Sequence, residues 1–238
     1  MPVDYCWSEN FAKHSLGYQV VFYFLASTIR RAFYYSPFSA TTGAIIASGF
    51  GYNGVKTVKE KDTHQWDKVI GVYWIECETI TSPVEVFRYW NYQVHIWLKK
   101  YVYMRLITPG KKPGAFESMS TFVVSGLWHG FYPCYMICFG MAAIMQELAK
   151  DIFKSRILFS GIPQSLKTVI AWLTTWITLN YFGVCIAGRV YEKVLSFTKA
   201  TNGFVFICIV AGFPIWRFLI VPYVRKIESK QAKKTQID

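Results

Sequence analysis

Carboxylates are scarce in this chain of 238 residues: 14 Asp and Glu stand against 26 Lys and Arg, for a formal net charge of +12. An excess of this kind suits nucleic acid or an anionic membrane surface. A nucleic-acid role asks for a basic face on a soluble module, and none is visible. Basic loops facing the cytoplasm and anionic headgroups are the reading that remains. Internal repeats and low-complexity tracts are missing, as are charge pairs within apolar runs, which argues against a transporter or channel. The opening segment MPVDYCWSEN carries Asp4 and Glu9 without a basic stretch, which reads against a secretory signal peptide. Cys134 and Cys138 can share a helix face, but no His or third Cys is spaced to complete a zinc set. No metal is therefore expected. With Cys185 and Cys208 these thiols lie in apolar runs and read as small hydrophobes.

Apolar and aromatic side chains fill the space that charge leaves. The chain is 53% hydrophobic and 18% aromatic, with a mean hydropathy of +0.24. That combination predicts an integral membrane protein. Residues 1–238 read as a single membrane domain, with a basic polar tail at 225–238 that is expected to fray. Candidate spans are Phe11–Ile29, Phe33–Tyr52, Met119–Leu148, Leu166–Ala187 and Gly203–Val224. Pro37 and several small residues interrupt the second. The predicted fold is all-α: a polytopic transmembrane bundle with re-entrant and amphipathic helices around an internal chamber. Charge and topology conflict in this reading. The loop at 53–117 and the tail are both basic, yet three spans separate them, which would place them on opposite faces against the positive-inside rule. Either one apolar run is re-entrant or the long loop contains a crossing.

Two landmarks carry candidate chemistry. The first is Ser118–Gln146, long enough to cross a bilayer, in which His129 is the one side chain expected to titrate near neutral pH. An ionisable group in such a run marks a functional site by default. Desolvation should keep the imidazole neutral and able to accept a proton, the state a general base needs. Pro133, four residues on, predicts a kink, because it removes the helical bond to the His129 carbonyl. Gly126 and Gly130 predict close backbone approach.

The second landmark is Trp90–Arg105, WNYQVHIWLKKYVYMR. Thr81–Val84 predicts a helix start, with Ser82 as cap and Pro83 in the first turn. From there a helix is expected to run to about Leu106. Val94, Trp97, Leu98, Tyr101 and Arg105 would form one stripe, with Lys99 and Lys100 projecting elsewhere as a solvated basic face. Asn91, amid apolar and aromatic neighbours, can donate and accept through its amide and hold a reactant. Lys56, Lys59, Glu60, Lys61 and Asp62 read as a solvated surface.

Together the segments resemble hallmarks of the membrane-bound O-acyltransferase family, and more narrowly its lysophospholipid acyltransferase branch. The match runs over Trp90-Asn91, Trp97-Leu98, Val102-Tyr103 and Arg105, then Trp128-His129-Gly130, Pro133 and Tyr135. Upstream, Arg30–Tyr35, Gly49–Gly54 and Trp66-Asp67 are similar to the same branch, so the resemblance covers about residues 20–225. Cys134 departs from the Gly often found there. Family members are usually longer, and this chain resembles their C-terminal catalytic half. The resemblance implies His129 and Asn91 as the catalytic pair. Trp90, Trp97, Tyr103, Arg105, Trp128, Tyr132 and Tyr135 are the candidate substrate-binding residues beside it. It implies acyl-CoA as co-substrate, a lysophospholipid acceptor, no cofactor, and a multi-pass location in the endoplasmic reticulum membrane. The alternatives are a family member acting on another hydroxyl acceptor, or a non-catalytic membrane piece of such an enzyme.

Overall fold

Helix starts along this chain are set by small hydroxyl caps and by proline. The computed structural model describes residues 2–58 and 61–235, and side chains for 2–57 and 61–230. A 3₁₀ turn, Pro2–Trp7, leads into α1 (Glu9–Ala12), capped by the Ser8 hydroxyl. Ser15 then caps α2 (Leu16–Ala47), a single 32-residue helix that continues through Pro37. The two spans expected at Phe11–Ile29 and Phe33–Tyr52 are therefore one element. Arg30 and Arg31 fall between the two expected spans, and Arg31 is satisfied without leaving the helix. Its guanidinium forks onto Glu78 at 2.7 and 2.8 Å and donates to Asn180 Oδ1.

The loop between the landmarks is more structured than a solvated linker. It holds a β-hairpin, β1 (Val55–Val58) with antiparallel β2 (Lys61–His64), so the fold is nearly all-α. Lys56, Lys61 and Asp62 are exposed as expected, while Lys59 and Glu60 lie outside the described residues. After it come α3 (Trp74–Thr79) and α4 (Pro83–Tyr89). The predicted cap at Ser82 is present, accepting from Val84 N–H at 3.3 Å. The long helix expected from there is not continuous. It stops at Trp90–Asn91, resumes as α5 (Tyr92–Leu98), widens into a π-turn at Lys99–Tyr103 and ends as α6 (Met104–Leu106).

The run Met119–Leu148 is not one span with a kink. It is a helical hairpin of α7 (Ala115–His129) and α8 (Pro133–Lys154), joined by Gly130–Tyr132. Pro133 is the first residue of α8, where its missing N–H costs no helical bond. Gly126 is where α8 packs closest: a Cβ there would lie 2.5 Å from Met136 Cε and 3.4 Å from Phe139 Cβ. A 3₁₀ turn, Arg156–Phe159, then α9 (Gln164–Gly188), α10 (Tyr191–Ala200) and α11 (Phe204–Pro214) follow. A second π-turn, Ile215–Ile220, continues into α12 (Val221–Thr235), so the tail is helical rather than frayed up to Thr235.

The core gathers α2, α8, α9 and α10 around Tyr23, Tyr181 and Phe197. Their ring centroids are 4.7–5.8 Å apart and none is solvent-exposed. Cys134, Cys138 and Cys185 are buried there as small hydrophobes, whereas Cys208 is exposed. Among the described residues, two helical stretches are long and apolar enough to cross a membrane: Gln164–Gly188 and Phe204–Lys230. Large exposed apolar side chains such as Val21, Phe33, Ile207, Phe218 and Leu219 give the exterior a lipid-compatible face. In the second stretch Arg217 reaches α8, donating from Nε to Asp151 and from Nη2 to Glu147 at 2.9 Å. Asp151 is wholly buried, so this cation is held by carboxylates of α8.

Candidate active site

His129 closes α7 because Gly130 follows it. Gly130 sits at φ 128°, a conformation open to glycine, and donates to the Leu127 carbonyl at 3.0 Å. The imidazole is stacked on Phe139, with centroids 4.9 Å apart at 29°. Trp128 and Tyr135 approach edge-on at 4.8 and 5.9 Å. The residue is exposed, at the last position of α7 before the hairpin turn. It belongs to neither stretch long enough to span. Fifteen residues of α7 rise about 22 Å at ~1.5 Å each, short of a ~30 Å hydrocarbon core. The aromatic enclosure still lowers its pKa from 6.5 by desolvation, so the neutral imidazole predominates at pH 7.

Asn91 comes from the break between α4 and α5. It adopts the left-handed conformation, φ 48° and ψ 55°, which Asn tolerates better than most residues. The extended Trp90 before it breaks the helical path, so Asn91 turns out of the helix line. Its side chain makes no capping bond. Trp90 is wedged edge-on between Tyr34, Tyr35 and Phe38 of α2 at 5.8–6.0 Å.

A cavity of about 780 Å³ brings the landmarks together. Asn91 and His129 both line it, with Trp90, Tyr103, Trp128 and Tyr135. Trp97, Arg105, Tyr132 and Pro133 do not. The expected stripe is not the cavity face: that face runs through Asn91, Val94, His95, Leu98 and Lys99, and the π-turn at Lys99–Tyr103 shifts the helical phase before Arg105. Trp97 and Arg105 are exposed outside the cavity, Tyr132 is exposed in the hairpin turn, and Leu98 alone of the stripe is buried. Lys99, expected on a solvated face, reaches the wall instead.

The wall also carries cations to which the sequence reading gave no role in the site. Arg30, Arg31, Arg88, Lys150 and Arg189 line it with Lys99, and among the described residues no Asp or Glu does. Arg31 stacks over Trp176 at 4.0 Å while bonded to Glu78. Asn180 lies in the apolar run of α9 and donates to Thr28 at 3.3 Å. Polar groups inside apolar runs were the available signal for Arg31 and Asn180. Burial, then the cations Lys99 and Arg88, lowers the pKa of His95 on the same wall. Among the described residues no cluster of His, Cys, Asp and Glu could hold a metal.

A positive, aromatic cavity whose lining includes the His129 imidazole and the Asn91 carboxamide can bind an anionic amphiphile and take a proton from it. The membrane-bound O-acyltransferase family model matches residues 1–188, and the chain belongs to that family. It is 35% identical to lysophospholipid acyltransferase 2 of Arabidopsis thaliana over 174 residues, 71% of this chain and 36% of that protein. The lysophospholipid acyltransferase of Schizosaccharomyces pombe is 32% identical over 149 residues, 63% and 29% of the respective chains. Membrane-bound glycerophospholipid O-acyltransferase 2 of Homo sapiens is 27% identical over 187 residues, 76% and 34%. The chain spans about a third of the length of these curated relatives.

Proposed function

We propose that this protein transfers a fatty acyl chain from acyl-CoA to a lysophospholipid hydroxyl. The observation that carries the reading is the convergence of Asn91 and His129, from separate segments, on one cavity wall. His129 takes the proton of the acceptor hydroxyl as its oxygen attacks the thioester carbonyl. The new C–O bond forms, the C–S bond breaks, and the proton passes from His129 to the departing CoA thiolate. Asn91 holds one reactant in register. The carboxylate-free wall favours phosphate-bearing substrates over cationic ones. Direct transfer needs no covalent enzyme intermediate and no cofactor.

The chamber belongs to a multi-pass bundle in the endoplasmic reticulum membrane. In this arrangement the α7–α8 hairpin enters and leaves on one side, while Gln164–Gly188 and Phe204–Lys230 each cross. Two crossings then separate the basic loop from the basic tail, and both face the cytosol, as the positive-inside rule asks.

The test is a panel of lysophospholipids with radiolabelled acyl-CoA, comparing the protein with His129→Ala. Loss of about 10²–10⁴-fold in turnover is expected. In the wild type, kcat/KM should fall as pH is lowered and His129 protonates, with burial moving that limb toward acid. Wild-type turnover in His129→Ala would remove the base from the mechanism.

A further inference from the structure

Asn91 occupies a left-handed turn that its own side chain does not cap. Something else must hold that turn. The segment before α3 does so through its backbone. Tyr73 N–H donates to the Tyr89 carbonyl at 3.2 Å, and Tyr92 N–H donates to the Gly71 carbonyl at 2.9 Å. The two bonds fall on either side of Trp90–Asn91, so the turn is gripped at both ends.

The gripping segment is itself docked on α2 at one residue. Gly71 N–H donates to Thr42 Oγ1 at 3.1 Å, and that hydroxyl donates to the Phe38 carbonyl at 2.8 Å. A Cβ on Gly71 would lie 3.1 Å from the Phe38 carbonyl oxygen and 3.2 Å from Phe38 Cβ. Those atoms are fixed by the helix, so it is the Gly71 segment that must shift. The Phe38 ring packs edge-on against Trp90 at 5.8 Å, so α2 touches the turn by a second route.

We infer that Gly71 and Thr42 are positioning residues for Asn91, transmitting the rigidity of α2 to the carboxamide through the backbone of residues 71–73. Neither lines the cavity. The inference rests on the acyl-transfer reading and extends it to residues outside the site. Its physical basis is that a reacting group misplaced by about 1 Å can cost on the order of 10²-fold in rate. Thr42 acts through its hydroxyl, so serine should replace it and valine should not.

Three variants test this: Gly71→Ala, Thr42→Val and Thr42→Ser. Turnover is measured beside hydrogen exchange of peptides covering 71–73 and 89–93. Gly71→Ala should lower kcat by about 10²-fold with KM for both substrates unchanged. Thr42→Val should lower kcat by a smaller factor, and Thr42→Ser should restore it. In Gly71→Ala and Thr42→Val the Tyr73 and Tyr92 amides should exchange faster, while α8 and α9 stay protected and the His129 limb of the pH profile stays in place. Wild-type kcat in a folded Gly71→Ala, or unchanged exchange at 89–93, overturns the inference. If Gly71→Ala does not fold, the Val and Ser pair decides by the same measurements. An inactive wild type, or an active His129→Ala, would instead defeat the functional reading. Exchange at 89–93 would then judge the backbone grip by itself.

Discussion

At the scale of single residues, Asn91 joins two roles that a substitution can separate. Its backbone sits at φ 48°, and its carboxamide faces the cavity wall without a capping bond. Left-handed geometry costs most side chains roughly 1–2 kcal/mol, and glycine nothing. Asn91→Gly should therefore fold at least as well as Asn91→Ala, which keeps the strain and loses the amide. Both should lose most turnover, because neither can hold a reactant. Thermal unfolding and kcat measured on the same samples check this. Activity in Asn91→Gly near wild type would mean that the turn, and not the amide, is what matters. That Asn91 and His129 would share one cavity was legible from Trp90–Arg105 and Trp128–Tyr135 read together. The left-handed turn was not, because a lone Asn in an apolar helical pattern carries no marker of backbone sign. Arg105 and Trp97 were misplaced for a related reason. The cavity face runs through Asn91, Val94, His95, Leu98 and Lys99, so Trp97 lies beside it on the same helix, and the π-turn breaks the 3.6-residue repeat before Arg105.

Between elements, the α7–α8 hairpin shows what composition can hide. An apolar run of this length reads as one span, and Pro133 as a kink within it. The residue that ends α7 is Gly130, with φ 128° and only 3.4 Å between an added Cβ and Tyr132 Cδ2. Gly130→Ala should strain the turn, move His129 and reduce turnover. Pro133→Ala should be mild, since Pro133 merely starts α8. It gives up about 0.4–1 kcal/mol of unfolded-state restriction and leaves turnover per folded molecule near wild type. Equal activity losses in the two would show that the proline, too, aims the imidazole.

A second inter-element device is Glu78, whose carboxylate binds Arg31 and accepts from Tyr35 Oη, tying α3 to α2. Its backbone carbonyl also accepts from Trp172 of α9 at 2.8 Å. Burial opposes ionisation of Glu78, but the Arg31 and Tyr35 bonds outweigh it and hold the pKa below its usual 4.5. A lowered folded-state pKa gives stability that is present above the unfolded value. That stability is lost as pH falls below about 4.5 through the folded value. Glu78→Gln leaves Arg31, 11% exposed, without its counter-charge. The expected loss is about 3 kcal/mol, and the variant's stability should depend less on pH over that acidic range than the wild type's. Denaturation midpoints at pH 7 and pH 4 test both statements.

For the molecule as a whole, the proposed topology makes charge and hydropathy consistent by counting the hairpin as a return. Five candidate spans placed three crossings between two basic segments and set the positive-inside rule against the hydropathy pattern. Merging the first two runs into α2 and folding the third back on itself leaves Gln164–Gly188 and Phe204–Lys230 as the long apolar helices between those segments. The membrane character, the helical class and the family were legible in composition and motif. The hairpin was not, because lipid-facing and protein-facing apolar runs have the same composition, and Gly130 acts only through a torsion angle. On the proposed topology, Arg217 adds a constraint on the second crossing. Its guanidinium is bound to Asp151 and Glu147 of α8, so a residue costly in lipid is neutralised from the hairpin side. That tie holds Phe204–Lys230 at a fixed depth against α8, and the basic residues Arg225 and Lys226 then fall beyond it at the interface. Epitope tags placed at Lys61–Asp62 in the β-hairpin loop and after Asp238 should therefore both be cut by protease added outside sealed microsomes. A lumenal marker should stay intact. Protection of one tag and cleavage of the other would restore an odd number of crossings and show that the hairpin traverses the bilayer.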